Sequence, residues 1–515
     1  MKGAIAAGHR LTAEAGARAL AQGGNAVDAC VAAAFASWVA ESPLTGPGGG
    51  GFMLVHTARD RRSRVLDFFA AVPGIGGFDD TAQGPMDEVL IDFADASTQV
   101  FLIGAASCAV PGMAAGLEAA HRAFGRLPWR ELVEPAVELA RGGIELTPAQ
   151  ANLHAILHGI LAHTPEARLV YGDDPLGVGE QLVLDDLAET LQQLAEEGAA
   201  AIYQGELGRA ICAHVQSGGG VVTTDDLAAY RVVWRRPVRG SFARAALVSN
   251  PPPSSGGVLI AYGLRLLEAL GQARQGSAEA MAAMIEVMRE QARARDGRFA
   301  IELHRGGLAR RLEAEVKAAV ARIRARLPGV PELAPAGTTH ISVVDAAGNA
   351  ASLSGSTGAG SGVVVPGTGI YLNNMLGEPD LTGGRALRPG RRLTSMMAPT
   401  IALADGSPRL VVGSAGSARL RGAIMQIVVN VLAHGISVDE AIRAARVHVE
   451  GDEVHCEGGA DGAELDRLEA LGYELVRWSG RNLFFGGAAA VEVRPGGELA
   501  AAGDPRRGGH GVVVG

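Results

Sequence analysis

A threonine that follows a glycine, just before an alternating apolar stretch, is the feature of this sequence with the clearest chemical potential. In Gly337-Thr338-Thr339-His340-Ile341-Ser342-Val343, the alternation of Ile341 and Val343 predicts a buried strand. Chain cleavage between Gly337 and Thr338 would leave the α-amine of Thr338 beside its own hydroxyl. Because an α-amine has a pKa near ~7.7–8, it is partly neutral at pH 7 and can act as the base for that hydroxyl. One residue would then supply both the nucleophile and the base of an amide hydrolase.

The residues around Thr338 decide how this pattern is interpreted, since a threonine at a strand start is by itself an ordinary β-branched residue. The sequence continues, in order, with Asp345-Ala346-Ala347-Gly348-Asn349, Gly360-Ser361-Gly362 and Gly369-Ile370-Tyr371-Leu372-Asn373-Asn374. This run resembles the start of the small subunit of the γ-glutamyltranspeptidase (γ-glutamyltransferase) family, a family of N-terminal-nucleophile hydrolases. Earlier segments, Gly23-Gly24-Asn25-Ala26-Val27-Asp28-Ala29 and Gly48-Gly49-Gly50-Gly51-Phe52-Met53-Leu54, resemble signatures of the large subunit. The resemblance therefore covers nearly the whole chain.

The resemblance implies roles for nine residues. Thr338 would be the nucleophile, Ser356 the hydroxyl that supports it, and the backbone N–H groups of Gly416 and Ser417 the donors to the oxyanion. The substrate would be bound by residues at five further positions: Phe69, Asn374, Glu378, Thr394 and Ser395. Two residues are missing near Ser356 relative to the family, so Ser354 and Thr357 stay open as alternatives. Ser417 stands where most relatives have glycine, but a serine keeps the backbone N–H.

Three positions depart from the family pattern, and each departure makes the predicted site more apolar. Phe69 stands where the transpeptidases carry an arginine that holds the α-carboxylate of the donor. Met375 replaces a polar residue, and Gly358 replaces an asparagine. An arginine–carboxylate contact is charge-assisted and often bidentate, so its loss weakens donor binding. We therefore expect an amidase or acylase that forms an acyl-enzyme, passes the acyl group to water or an amine, and does not use glutathione.

Two other functions stay open. A conventional γ-glutamyltransferase or glutathione hydrolase would need another arginine, such as Arg385 or Arg388, at the donor carboxylate. A homologue that never cleaves itself could serve as a binding protein, although Gly337-Thr338 is intact. For the enzyme, the expected partners are a small-molecule amide or γ-glutamyl substrate and the two parts of the cleaved chain, with no cofactor and no metal.

The resemblance also implies the fold, an α+β architecture with the four-layer αββα sandwich of the N-terminal-nucleophile hydrolases. Strand patterns cluster near residues 50–70, 230–250, 340–372 and 396–415, with helical patterns between them. Residues 1–337 are expected to form the large subunit and residues 338–515 the small subunit. Both would build one sandwich, because each alone would expose the core face of a sheet.

Composition excludes several other classes of protein. The net charge is −9, from 46 basic and 55 acidic residues, and no stretch concentrates lysine or arginine in the manner of a nucleic-acid-binding surface. No run approaches the ~18 apolar residues of a membrane span. The N-terminal residues lack the apolar region of an export signal, so we expect a cytoplasmic protein unless an upstream segment exists. The four cysteines lack metal-binding spacing and are expected to be buried thiols: Cys30, Cys108, Cys212 and Cys456.

Overall fold

Two facing β-sheets form the centre of the computed structural model, which describes residues 2–77, 83–92, 98–326, 338–382, 387–417 and 419–515. The strands are β1 (Gly3–Ala7), β2 (Gly50–Thr57), β3 (Arg62–Phe68), β4 (Asp87–Asp92), β5 (Thr98–Ile103), β6 (Ile144–Glu145), β7 (Gln181–Leu182), β8 (Val233–Arg235), β9 (Val238–Phe242), β10 (Ala245–Ser249), β11 (Thr339–Asp345), β12 (Ala350–Ser356), β13 (Val364–Val365), β14 (Ile370–Tyr371), β15 (Thr400–Ala404), β16 (Ser407–Ala415), β17 (Val447–Glu450), β18 (Glu453–Cys456), β19 (Leu475–Arg477), β20 (Gly487–Val493), β21 (Leu499–Gly503) and β22 (His510–Val514).

The α-helices lie mainly outside the two sheets. They are α1 (Arg10–Ala21), α2 (Ala26–Ala40), α3 (Met113–Phe124), α4 (Trp129–Gly142), α5 (Pro148–Leu161), α6 (Pro165–Tyr171), α7 (Asp185–Glu197), α8 (Ala200–Tyr203), α9 (Glu206–Ser217), α10 (Thr224–Ala229), α11 (Gly256–Leu270), α12 (Ala278–Arg293), α13 (Phe299–Arg305), α14 (Leu308–Arg326), α15 (Pro379–Thr382), α16 (Arg419–Leu432), α17 (Val438–Arg443) and α18 (Gly462–Ala470).

Each large sheet combines strands from both sides of Thr338. The seven-stranded sheet has the order β22-β1-β11-β12-β2-β3-β8, and the six-stranded sheet has the order β21-β20-β16-β15-β10-β9. In the first sheet, β11 pairs with β1 on one side and with β12 on the other, both antiparallel. The predicted nucleophile therefore precedes a central strand, whose position is fixed by two neighbours.

Alternation along the strands divides the core into three layers. In β11, Ile341 and Val343 face α2, whereas Val344 packs into the layer between the sheets. In β16, Val411 faces the layer between the sheets and its neighbours Leu410 and Val412 face the outer helices. This period of two is the expected pattern for sheets that are covered on both faces.

Helices cover the outer face of each sheet. On the seven-stranded sheet lie α1 and α2, and α2 is buried along its whole length because other helices pack over it. Asn25 caps α2 through a capping box with Asp28. On the six-stranded sheet lie α11, α16 and α17. The order helix, sheet, sheet, helix confirms the predicted four-layer αββα fold.

The predicted strand clusters are confirmed, but the first strand was missed. The alanine-rich segment of β1 has low intrinsic strand propensity, and it is a strand because it fills the gap between β11 and β22. All four cysteines are buried and have free thiols, as expected. Within the described ranges, no helix is both long enough and apolar enough to cross a membrane.

Candidate active site

Thr338 lies directly before β11 and is 4% exposed. The register sets His340 opposite Ser354, so that two residues earlier Thr338 comes opposite Ser356, the last residue of β12. Alternation gives Thr338 the same face as His340, whose Nδ1 lies 2.8 Å from Ser354 Oγ. This face is directed at the six-stranded sheet, because Ser342 on the same face donates a hydrogen bond to a carbonyl group of β20.

The three hydroxyls that could support Thr338 have different surroundings. Ser356 is buried and its Oγ accepts a hydrogen bond of 2.8 Å from the Gly358 N–H. Ser354 is on the same face, but its hydroxyl is engaged with the ring of His340. Thr357 lies beyond the strand end, and its Oγ1 has no hydrogen bond with any described residue. The geometry favours Ser356 of the three.

A buried acid and a half-buried arginine hold this strand end, and the sequence did not reveal either. The carboxylate of Glu41, just after α2, accepts hydrogen bonds from the hydroxyls of Thr12 and Thr339. The guanidinium of Arg507 donates to the carbonyl of Thr338 at 3.4 Å. Arg507 follows an Asp504-Pro505-Arg506 segment, which was the only available signal in the sequence.

Burial controls the protonation of this pair. Desolvation raises the pKa of Glu41, although the two threonine hydroxyls and Arg507 oppose the shift. Desolvation also lowers the pKa of Arg507 to about 10, opposed by Asp504 and Glu41. Both shifts oppose the charged forms, and the attraction between Glu41 and Arg507 opposes both shifts.

The six-stranded sheet approaches the same strand end closely. A Cβ atom on Gly413 of β16 would lie 2.2 Å from the ring of His340, so a residue without a side chain is required there. The side chain of Arg507 packs over Gly487 of β20, which pairs with Ala415 at the end of β16. One arginine thus contacts both Thr338 and the strand pair that leads into the predicted oxyanion loop.

The Gly416-Ser417 loop connects β16 to α16. The carbonyl groups of Gly416 and Ser417 accept hydrogen bonds from the N–H groups of Arg419 and Leu420. The loop therefore lies at the N-terminal end of α16, where the helix dipole favours negative charge. Ser417 has a φ of 49°, a left-handed conformation that costs an L-residue roughly 1–2 kcal/mol. A glycine, which the resemblance implies at this position, would adopt this conformation without the strain.

Phe69 and Met375 lie in the apolar layer between the sheets. Phe69 is 1% exposed, and its ring stacks on Phe52 with the centroids 5.3 Å apart. Met375 is fully buried in the same cluster, together with Leu393 and Met397. Phe69 therefore fills, with an apolar side chain, the position at which the resemblance predicts a cationic side chain.

Gly358 and Glu378 have adapted to each other. A Cβ atom on Gly358 would lie 2.2 Å from Asn374 Oδ1 and 2.6 Å from Glu378 Oε1. Glu378, which stands where the resemblance implies a shorter aspartate, thus occupies space that a side chain at position 358 would need. Burial raises the pKa of Glu378 to about 8, opposed by the Ala359 N–H, so this acid is mainly neutral at pH 7.

The side chains of the remaining predicted binding residues form hydrogen bonds with backbone groups of nearby segments. Asn374 accepts a hydrogen bond from the Ala359 N–H and donates one to the Leu102 carbonyl. The hydroxyl of Thr394 is directed at the carbonyl groups of Asp380 and Leu381. Ser395 Oγ accepts from the Met397 N–H, so its own proton remains to donate.

The other predicted groups are two arginines and the cleavage bond. Arg388 is exposed. Arg385 and Gly337, and with Gly337 the predicted cleavage bond, lie outside the described ranges. In the part of the chain that the structure describes, no group of three or more His, Cys, Asp or Glu side chains converges as a metal site would require.

The sequence profile of the family described as gamma-glutamyltranspeptidase matches residues 12–514. The chain belongs to the γ-glutamyltranspeptidase family. A relative, the acylase ACY 1 proenzyme of Pseudomonas sp. (strain SE83), is 34% identical over 100% of this chain and 94% of its own length. The glutathione hydrolase proenzyme of Escherichia coli (strain K12) is 32% identical over 98% of this chain and 90% of its own length.

Solved structures place this γ-glutamyltranspeptidase-family chain among the N-terminal-nucleophile hydrolases. The cephalosporin acylase from Bacillus halodurans has the same fold, with a TM-score of 0.87, 24% identity and coverage of 99% of this chain and 95% of that chain. The γ-glutamyltranspeptidase of Helicobacter pylori superposes with a TM-score of 0.52 at 29% identity, over 61% of this chain and 90% of that chain. Because the chain belongs to this family and its curated relatives include an acylase and a glutathione hydrolase, it is an enzyme of the amidohydrolase and acyltransferase type.

Proposed function

We propose that this protein is a self-processing acylase that uses Thr338 as its N-terminal nucleophile. Cleavage of the Gly337–Thr338 bond would divide the chain into residues 1–337 and 338–515, which stay associated because both sheets contain strands from both parts. The word "proenzyme" in the names of the two relatives supports this processing.

In the proposed reaction, Thr338 Oγ attacks the carbonyl carbon of an amide while the α-amine takes the hydroxyl proton. The N–H groups of Gly416 and Ser417 stabilise the oxyanion of the tetrahedral intermediate. Collapse of the intermediate breaks the C–N bond, and the leaving amine receives the proton. Water or a second amine then attacks the ester on Thr338 and releases the acyl group, with the α-amine again as the base.

The observation that carries the substrate assignment is the burial of Phe69 against Phe52. A free γ-glutamyl group presents a carboxylate and an ammonium, and an aromatic stack offers neither of them a charged partner. The raised pKa of Glu378 supports the same conclusion, since a mainly neutral acid is a weak partner for an ammonium. We therefore propose that the acyl group lacks the free amino-acid head of a γ-glutamyl donor.

A pair of chromogenic amides tests this assignment. We expect the mature protein to hydrolyse the 4-nitroanilide of pentanoic acid with a kcat/KM at least equal to that for γ-glutamyl-4-nitroanilide. Efficient γ-glutamyl turnover that is lost in Arg388→Ala, but kept in a control at another exposed arginine such as Arg443→Ala, would contradict the assignment. That outcome would establish a conventional glutathione hydrolase with the clamp on the segment before Thr394.

A further inference from the structure

Asp67 is a buried acid of β3 that two arginines share. Its side chain is 0% exposed, and its two carboxylate oxygens accept hydrogen bonds from Arg235 at 2.7 Å and from Arg392 at 3.2 Å. One of these oxygens also accepts a hydrogen bond of 3.1 Å from the backbone N–H of Phe69. Because two cations share this acid, either arginine can be replaced without leaving an unpaired buried charge.

The two arginines differ in what else they contact. Arg235 lies in β8, which pairs with β3, so its bond to Asp67 stays within one sheet. Arg392 comes from the segment between α15 and β15, and its Nη2 donates to the carbonyl groups of Asp67, at 3.3 Å, and of Arg231. Its guanidinium also lies 4.2 Å from the centre of the Tyr230 ring. A planar guanidinium can form hydrogen bonds in its plane while its face stacks on an aromatic ring.

The two partners of the Arg392 guanidinium also hold the backbone of Phe69. The Tyr230 hydroxyl donates a hydrogen bond of 2.9 Å to the Phe69 carbonyl, and Asp67 accepts the Phe69 N–H. Tyr230 is buried, and its ring is stacked with that of Tyr203, with the centroids 5.4 Å apart. Arg392 therefore acts on the position of Phe69 through two fixed neighbours.

The backbone around Arg392 pairs with the residues that follow Phe69. Residues 390–393 and residues 70–72 are joined by backbone hydrogen bonds of 2.8 to 3.1 Å. The pairing is antiparallel, because Leu393 bonds to Ala70 while residues 390 and 391 bond to residue 72. Phe69 and Thr394, which come directly before and after these two stretches, thus lie at the same end of the pairing.

We propose that Arg392 is a positioning residue that sets the separation between Phe69 and the Thr394-Ser395 segment, and that this separation selects the length of the acyl group. This inference rests on the proposed acylase function and names the property by which that site selects its substrate. Arg392 acts through Asp67 and Tyr230, because its Nε and Nη2 are bonded to protein groups.

The nucleophile is held by other groups. The carbonyl of Thr338 accepts a hydrogen bond from Arg507, and Thr338 directly precedes β11. Neither of these contacts includes Arg392. Loss of Arg392 should therefore change which acyl groups are accepted, while the attacking hydroxyl stays in place.

The kinetic test uses amides that differ only in the length of a neutral acyl group. They are the 4-nitroanilides of propanoic, pentanoic and heptanoic acids. Wild type should prefer one length over the next by about tenfold or more in kcat/KM, since a pocket of fixed size discriminates two methylene groups by roughly this factor. Arg392→Met should reduce this preference by about 3–10-fold. Because the preference is a ratio within one preparation, a misfolded fraction does not affect it.

Two further variants separate positioning from general support of the fold. Arg235→Met removes the other cation from Asp67 and is the matched control, so it should leave the length preference unchanged. Arg392→Lys keeps the charge but not the planar stack on Tyr230, and it should recover part of the preference. A wild type without length preference, an unchanged preference in Arg392→Met, or an equal change in Arg392→Met and Arg235→Met would overturn the proposal.

Hydrogen exchange measured by mass spectrometry keeps this proposal distinct from the proposed function, because it requires no turnover. Peptides that contain residues 69–72 and 390–394 should exchange faster in Arg392→Met than in wild type or in Arg235→Met. Such faster exchange, without hydrolysis of any anilide by wild type, would support the positioning role and contradict the acylase function. Hydrolysis with the same length preference in wild type and Arg392→Met would contradict the positioning role alone.

Discussion

The strand end that carries Thr338 is held by polar groups, whereas the surface expected to select the acyl group is apolar. We call this second surface, formed by Phe69 and Met375, the apolar wall. Behind Thr338, polar side chains hold one another: Glu41 accepts from Thr339, and Arg507 donates to the Thr338 carbonyl. On the apolar wall, Phe69 and Met375 contribute only apolar surface between the sheets. In the proposed function, the reaction would depend on strand register and backbone groups, whereas selection of the acyl group would depend on side chains that can change one at a time. This difference is how one fold can keep its chemistry and change its substrate.

The largest expected effect is that of Thr338→Ala. Without the hydroxyl there is no nucleophile for cleavage or for turnover, so the variant should remain one uncut, inactive polypeptide. Gel electrophoresis shows the cut, and N-terminal sequencing of the smaller wild-type fragment should begin at Thr338. Thr338→Ser, which keeps a hydroxyl, is the control and should still cut. A wild-type fragment that begins at any other residue would contradict the proposed nucleophile.

Phe69→Arg tests the apolar wall. The new guanidinium would enter the layer between the sheets beside Phe52, and the nearby acid Asp67 already pairs with Arg235 and Arg392. We therefore expect a loss of about 3–5 kcal/mol in the free energy of unfolding. Phe69→Leu, which stays apolar, is the matched control and should cost less. Urea unfolding measures both. A stable Phe69→Arg variant with increased γ-glutamyl turnover would show that the wall can accept a carboxylate clamp.

Gly358→Asn restores the residue of the family pattern and should be unfavourable here. The new Cβ would collide with Asn374 Oδ1 and Glu378 Oε1, and we expect a cost of roughly 1–3 kcal/mol. Adding Glu378→Asp shortens the second neighbour and should recover part of this cost. A double-mutant cycle, with Glu378→Asp alone as the third corner, measures the coupling by thermal or urea unfolding. Strictly additive effects would contradict the mutual adaptation of these two positions.

The fold was predictable from the sequence because its signals are local and ordered along the chain. The alternation of Ile341 and Val343 predicts β11, and the glycine-rich segment that runs into apolar residues predicts β2. Both are inner strands of the seven-stranded sheet. By contrast, β1 is a strand only because of its neighbours β11 and β22, and no local pattern in its alanines indicates this.

For the candidate site, the sequence indicates only those groups that the backbone supplies. Gly416 and Ser417 are recognised from a glycine turn after a strand, whereas Glu41 and Arg507 come from distant parts of the chain. Nothing in the sequence indicates that the hydroxyl of Thr394 is directed at the carbonyl groups of Asp380 and Leu381. Long-range hydrogen bonds of this kind depend on the packing of the whole sandwich.

Glu378 should give a pH-dependent difference in stability. Its pKa rises from 4.5 to about 8 on folding, so between these values the unfolded chain loses the proton that the folded chain keeps. The contribution of Glu378 to stability is therefore present at low pH and is lost as the pH rises toward 8. Glu378→Gln cannot ionise, and its stability relative to wild type should rise between pH 5 and pH 8 by about 3 kcal/mol. Calorimetric melting at both pH values measures this change, and a constant difference would contradict a buried neutral acid.

The smallest expected effect is that of Ser417→Gly, which acts on the catalytic side. The φ of 49° strains a serine, whereas a glycine adopts it freely and loses only the entropic advantage of a side chain in the unfolded state. We expect a gain of about 0.5–1 kcal/mol in the free energy of unfolding with an unchanged kcat, because the backbone N–H that should bind the oxyanion is kept. Ser417→Ala is the control, since it removes the hydroxyl but keeps the strain, and it should give no gain in stability. An equal fall of kcat in both variants would show that the serine hydroxyl itself takes part in the reaction. The oxyanion loop would then contribute a side chain as well as its backbone N–H groups, and the contrast with the apolar wall would be smaller.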